Sequence, residues 1–209
     1  GRDEELEHIF GLLESGKSAV TLVGNPGVGR STLIHGIAQK MVAEEVPETL
    51  ADKRLVSLSI PSLVAGASAP GALEERLLRI LSEVRRAGNI ILFVDDIEKM
   101  VGVGTESGEA LDISDMLKEA VESRTIILLS ITTPENWVSY VEGTGLGQLL
   151  ERVDIGEMEE DQAIRVLEAT APFVEGKNNV FLTYPALAAA VQLSQRFMHQ
   201  KFLPQKAIE

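Results

Sequence analysis

The sequence predicts a doubly wound α/β domain built on a parallel sheet, followed by a small helical unit. Three observations carry this: helix-spaced apolar segments alternate with short continuous apolar runs, a glycine-rich turn joins one such run to a helix, and strand signals largely stop after about Glu159. Leu6, Ile9, Phe10 and Leu13 share one helical face, and Ala19 to Val23 is then an apolar run that ends in glycines. Leu33, Ile34, Ile37, Ala38 and Met41 mark the next helix, Pro47 breaks it, and Leu55 to Ile60 reads as extended. Leu73, Leu77, Ile80, Leu81 and Val84 define a long amphipathic helix, with Glu75 and Arg79 spaced i,i+4 on its exposed side. Asn89 to Val94 and Thr125 to Ile131 are unbroken apolar runs, the pattern of strands covered on both faces. Glu159-Glu160-Asp161 suits a helix N-terminus, where carboxylates meet the positive end of the dipole; Ile164, Leu167 and Ala171 continue that helix. Leu187, Val191, Ser194 and Met198 mark another. We therefore divide the chain into an α/β unit, 1–158, and a helical unit, 159–209.

Composition narrows the function. The chain has 209 residues, of which 44% are hydrophobic, enough for a sizeable core. Its 32 acidic and 19 basic residues leave a net charge of -13, which opposes a polyphosphate backbone, so no nucleic-acid partner is expected. Cysteine is absent, which excludes disulfides, thiolate metal sites and thiol nucleophiles and fits a reducing compartment. No apolar run approaches the ~18–20 residues of a membrane span, and the charged opening Gly1-Arg2-Asp3-Glu4-Glu5 is no secretory leader. A cytoplasmic protein with no membrane partner is the expectation. The chain opens inside a motif and ends at what reads as a helix start, so it reads as one module of a longer protein.

The strongest chemical signal is Gly24-Asn25-Pro26-Gly27-Val28-Gly29-Arg30-Ser31-Thr32, between a predicted strand and a predicted helix. Glycines allow successive backbone N–H groups to curl around a phosphate, and the helix adds its dipole. A lysine usually follows the last glycine. Here Arg30 does, a planar fork on a longer stem, which recognises phosphate but fits a tight cradle differently. Ser31 is the expected Mg²⁺ ligand. The competing reading is an ordinary glycine-rich turn.

A second signal is Ile90-Ile91-Leu92-Phe93-Val94-Asp95-Asp96, a buried strand with two carboxylates at the end where open sheets bind ligands. Asp95 is placed to hold the magnesium shell. Asp96 occupies the general-base position, where a glutamate is usual; being one methylene shorter, it predicts slow hydrolysis, since misplacement by ~1 Å can cost on the order of 10²-fold. Alternatively, Asp96 caps the following turn. Thr132-Thr133 ends the next apolar strand, where a hydroxyl could contact a terminal phosphate or orient water, though Thr-Thr-Pro is also a common strand exit and helix cap.

With these residues in view, the sequence resembles the first ATPase module of the Clp/ClpB-type AAA+ unfoldases and disaggregases. The matching stretches are Gly1 to Glu5, Gly24 to Thr32, Lys53 to Leu58, Leu63 to Ala67, Glu74 to Leu77, Gly88 to Asp95, Thr132-Thr133 and Phe202 to Ile208. The resemblance implies a five-stranded parallel αβα sandwich with a small helical lid. It also implies ATP or ADP with Mg²⁺ as cofactors, a self-associated ring hydrolysing ATP at subunit interfaces, and protein clients or other Clp-type modules as partners. Gly1 and Arg2 would lie beside the adenine, and Lys206, in the lid motif Lys206-Ala207-Ile208, would close over the nucleotide.

The departures from that family fall on working parts. Arg30 and Asp96 replace lysine and glutamate. Ser68-Ala69-Pro70-Gly71 stands where the family's pore loop carries an aromatic residue, whose large contact area at low entropic cost grips a threaded polypeptide. Counted without gaps from Thr132-Thr133, the family's paired arginine fingers fall on Gln148 and Leu149; such an arginine can be worth 10³–10⁵ in rate, and the nearby Arg152 substitutes only with a slip of three or four residues that spoils the match of Val153 to Glu157. These substitutions point to a degenerate module that binds nucleotide and hydrolyses it weakly or not at all. An active remodelling ATPase and a nucleotide-free scaffold are the alternatives. His8, His35 and His199 have no ligand-spaced partner, and Trp137, Tyr140 and Val141 read as packing.

Overall fold

In the computed structural model, which describes residues 1–65, 71–101 and 113–209, five parallel strands form one sheet. They are β1 (Ala19–Gly24), β2 (Arg54–Leu58), β3 (Ile90–Val94), β4 (Ile127–Thr132) and β5 (Glu151–Ile155), in the order β2-β3-β4-β1-β5. Because β4 lies between β1 and β3, the carboxyl ends of these three strands open side by side.

The sheet is covered on both faces, as its unbroken apolar runs require. Alternate side chains divide between two cores. Ala19, Val23, Leu92, Val94 and Leu128 pack with Leu77, Leu81 and Val84 of α4 (Ala72–Ala87) and Leu117 and Val121 of α5 (Ile113–Glu122). Val20, Leu22, Ile91, Leu129 and Ile131 pack with Leu6, Ile9, Phe10 and Leu13 of α1 (Asp3–Glu14) and Leu33, Ile34 and Ile37 of α2 (Arg30–Val42). Each fully buried aliphatic side chain contributes about 1.5–3 kcal/mol. Helix α4 also carries Glu74 and Glu75 in its first turn and Arg85 and Arg86 in its last, both favourable to the dipole, and Gly88 at φ 72° ends it.

One boundary differs from the sequence expectation. The extended run stops at Leu58, and Ile60 begins α3 (Ile60–Val64), because the Ser59 hydroxyl accepts from the Ser62 N–H at 3.3 Å and caps the turn. Residues Ser68, Ala69 and Pro70 of the pore-loop position, and the tract 102–108, lie outside the described residues.

A third apolar cluster, including Met158, Ile164, Leu167, Ala171, Leu187, Val191 and Leu203, unites α7 (Glu160–Asn178), α8 (Tyr184–Phe197) and the short α9 (Gln205–Ile208). This helical unit returns to the sheet's open end through α9, where the Gln205 N–H donates to the Gly27 carbonyl at 3.4 Å. Among the described residues, no helix is long and apolar enough to cross a membrane.

Candidate functional site

The loop from Gly24 to Thr32 leaves β1 and enters α2 at the mouth of the sheet. At Gly24 a Cβ would stand 2.7 Å from the Ile155 carbonyl of β5, so no side chain fits there. Gly27 has φ 90°, a conformation costly to any L residue with a side chain, and Gly29 is a left-handed N-cap at φ 99°. Val28 is buried and pins the loop to the core beneath. No side chain caps α2, so its first-turn N–H groups and dipole remain available to an anion. Ser31 and Thr32 are exposed on that turn, and Asn25 and Pro26 form the outer bend.

Arg30 is half-buried, and its Nη1 has no hydrogen-bond partner. Burial draws its pKa below the ordinary value, while Asp96, Asp95 and Glu98 pull the other way. It forms no ion pair among the described residues, so the cation is held in the field of three carboxylates without being tied to one. Asp95, at the end of β3, is open to solvent on one side, yet desolvation, and then the Asp96 charge, raise its pKa. Asp96 has φ 52°, a left-handed conformation that aspartate tolerates better than longer side chains; this gives a backbone reason for the shorter acid. Its carboxylate accepts from Lys99 Nζ at 2.6 Å, an interaction that raises the lysine pKa.

The end of β4 is equally engaged. Thr132 is buried and pairs in register with Val23 of β1; its hydroxyl donates to Glu98 Oε2 at 2.7 Å. Thr133 Oγ1 accepts from the Asn136 N–H at 3.1 Å and caps α6 (Pro134–Asn136), as the helix-cap alternative has it. Asn136 Nδ2 in turn donates to Glu98 Oε1 at 2.5 Å. Glu98 and Asn136 were not among the sequence-derived candidates.

Beside the loop lies a cavity of ≈270 Å³, lined in part by Gly1, Arg2, Gly29, Thr32, Met158 and Pro204. This approaches the ~300 Å³ lower range of small-molecule pockets. Arg2 Nη2 donates to the carbonyls of Val28 at 2.9 Å and Gly156 at 2.7 Å, bracing the loop against the exit of β5. Its Nη1 bonds Glu5 at 2.5 Å, and its buried Nε has no partner. Lys206 is only 7% exposed and pairs with Glu157 Oε1 at 2.7 Å, an oxygen that also accepts from the Leu203 N–H at 2.8 Å. Glu157 thus fixes α9 over the loop, a role the sequence did not signal. Farther along, Gln148 is exposed and Leu149 is partly buried against the core. Arg152 is paired with Asp154 at 2.6 Å and lies 5.9 Å from the Trp137 ring centroid. Trp137 and Val141 are buried, and Tyr140 is exposed.

These residues fit a nucleotide. A cradle of backbone donors, an uncapped helix and an unpartnered guanidinium nitrogen suit a phosphate chain, and the adjoining cavity suits a flat base. Among the described residues, no cluster of three or more histidine or acidic side chains could hold a metal ion alone. A divalent cation here would depend on phosphate oxygens, with Ser31 and Asp95 as the protein donors.

Comparison with known proteins supplies the lineage of this arrangement. Residues 20–138 match the ATPase family associated with various cellular activities (AAA), and residues 159–209 match an AAA lid domain. The chaperone protein ClpB of Helicobacter hepaticus is 36% identical over 211 aligned residues, covering 100% of this chain and 24% of the relative. The chain therefore spans about a quarter of the length of that relative. A closed state of Hsp104 with ATPγS and FITC casein superposes with a TM-score of 0.89 at 30% identity, covering 100% of this chain and 36% of the other. The S. cerevisiae Hsp104-ADP complex gives 0.87 at 30% identity, over 100% of this chain and 29% of that one.

Proposed function

Because the chain belongs to the AAA family of ATPases, and is homologous to the first ATPase module of ClpB, ClpC and Hsp104, we propose that it holds an adenine nucleotide with magnesium and hydrolyses it weakly or not at all. Gly24 to Thr32 hold the phosphates, Gly1 and Arg2 border the base, and Ser31 and Asp95 hold the cation. Bound magnesium would neutralise phosphate charge. Arg30, on the longer stem, contributes charge to the phosphates but not the compact contact of an ammonium. Lys206 acts through Glu157 by holding α9 over the loop.

The observation that carries weak hydrolysis is the internal engagement of the groups that would work on water: Asp96 on Lys99 and Thr132 on Glu98. The Asp96 carboxylate is already turned to Lys99 by a hydrogen bond, and it reaches one methylene less far than glutamate, so it is poorly placed to orient water. The module would serve as a nucleotide-dependent structural part of a larger chaperone-type assembly, self-associating in a ring and meeting protein clients. The Hsp104 relative with FITC casein supports that direction.

Calorimetric titration with ADP and ATP in magnesium tests the holding half of the proposal. Binding should stabilise the fold, by about 2.7 kcal/mol at a ligand concentration of 100 Kd. An unchanged melting temperature with either nucleotide would overturn it in favour of a scaffold.

A further inference from the structure

Glu98 is the carboxylate at this site that neither composition nor motif explains, and both its oxygens are committed to the end of β4. Oε2 receives the Thr132 hydroxyl at 2.7 Å, and Oε1 receives Asn136 Nδ2 at 2.5 Å. A carboxylate only accepts, so the direction of the first bond is fixed: the single proton of Thr132 points at Glu98. What remains on Thr132 Oγ1 is acceptor capacity. Phosphate oxygens are also acceptors. Thr132 pairs in register with Val23, just before the loop, and is not part of the cavity proposed for the base, whose lining includes Gly1, Arg2 and Pro204; with the base there, a phosphate chain lengthening along the loop runs towards Arg30, whose charge faces Glu98. A terminal phosphate arriving there meets no donor from Thr132, and it also meets the negative charge of Glu98. A diphosphate, ending one group earlier, avoids both.

We infer that Glu98 is a specificity-determining residue: by withholding the Thr132 proton and adding fixed negative charge, it biases the site towards a nucleoside diphosphate over the triphosphate. The inference rests on the nucleotide-holding proposal above. Arg30 does not cancel the effect, because its one charge already faces Asp95 and Asp96 as well as Glu98.

The test is calorimetric titration with ADP and with ATPγS in magnesium, for the unaltered chain, Glu98→Gln, Glu98→Ala, Thr132→Val and the double variant Glu98→Gln/Thr132→Val. Glu98→Gln is nearly isosteric. Its amide oxygen can keep the Asn136 bond while its NH₂ donates to Thr132, which frees the threonine proton. The unaltered chain should bind ADP about tenfold or more tightly than ATPγS, a factor in line with one lost charge-assisted hydrogen bond. Glu98→Gln should move that ratio about tenfold towards ATPγS with little change for ADP, and Glu98→Ala should do so as well. In the Thr132→Val background the shift should shrink to the part due to charge. A thermal melt of each variant identifies any that fails to fold; the isosteric variant keeps the test decisive if the alanine variant does. Equal affinities in the unaltered chain, or a ratio that Glu98→Gln leaves unmoved, would overturn the assignment to Glu98 while leaving nucleotide holding intact. Failure of the unaltered chain to bind either nucleotide would overturn the nucleotide-holding proposal, and this inference with it.

Discussion

On the β1 side of the pocket, polar groups have partners still to find: α2 begins without a side-chain cap, and the buried Arg30 Nη1 has no acceptor. On the β3 and β4 side, the side chains bind one another, Asp96 to Lys99, Thr132 to Glu98, and Glu98 to Asn136. The first region is built mostly from backbone, so it survives as long as its glycines and flanking elements do. The second depends on side-chain identity at single positions and can be rewired without disturbing the sheet. In the proposed function, gripping a phosphate and cleaving it would therefore rest on separable groups.

The most damaging way to break this contrast is to close the cradle itself. In Gly27→Val, a Cβ would lie 3.0–3.1 Å from the Gln205 side chain and 3.4 Å from the Phe202 carbonyl, at a φ of 90°. We expect nucleotide affinity to fall by more than about 100-fold, with about 1–3 kcal/mol of backbone strain, read by calorimetry and denaturant melts. Next is the clasp between lid and loop. Glu157→Ala leaves the Lys206 ammonium buried without its partner and should cost roughly 1.5–3 kcal/mol. Adding Lys206→Met should recover most of that loss, because the unpaired charge is then gone; a melt showing no recovery would argue against the clasp.

A smaller change sharpens the contrast from the other side. The double variant Arg30→Lys/Asp96→Glu should raise phosphate release about tenfold, the scale of one improved catalytic contact, and no further. Glutamate at φ 52° costs about 1 kcal/mol, and Gln148 and Leu149 still carry no guanidinium. The smallest expected effect is on Asp95. Its pKa is raised, first by desolvation, so ionisation opposes the folded state: the penalty is full above that raised value, shrinks as pH falls through it and is gone below the ordinary carboxylate pKa. Asp95→Asn should therefore slightly raise the melting temperature of the nucleotide-free chain at neutral pH, and the gain should vanish in acid. A lower melting temperature at neutral pH would contradict it.

Much of the fold was legible because β1, β3 and β4 lie inside the sheet and are covered on both faces, which leaves unbroken apolar runs. The edge strand β5 buries only Val153 and Ile155 between polar residues, so periodicity does not mark it; the family resemblance implied a fifth strand without placing it. The strand, glycine turn and helix around Gly24 to Thr32 were legible because they lie in one contiguous stretch. Glu98 and Glu157 were not, because their partners are remote in sequence: Thr132 and Asn136 stand 34 and 38 residues from Glu98, and Leu203 stands 46 from Glu157. No local pattern announces such pairs. The two threonines show the same limit, since one motif contains a hydroxyl bonded to a carboxylate and a neighbour that caps a helix.

The central claim is that the cradle is retained while cleavage is weakened, and phosphate release by the unaltered chain at saturating Mg-ATP tests it most directly. With binding established in the same sample by calorimetry, the predicted result is release close to the uncatalysed background. Sustained turnover near ~1 s⁻¹ or above, in the ordinary range of enzymes, would contradict the account.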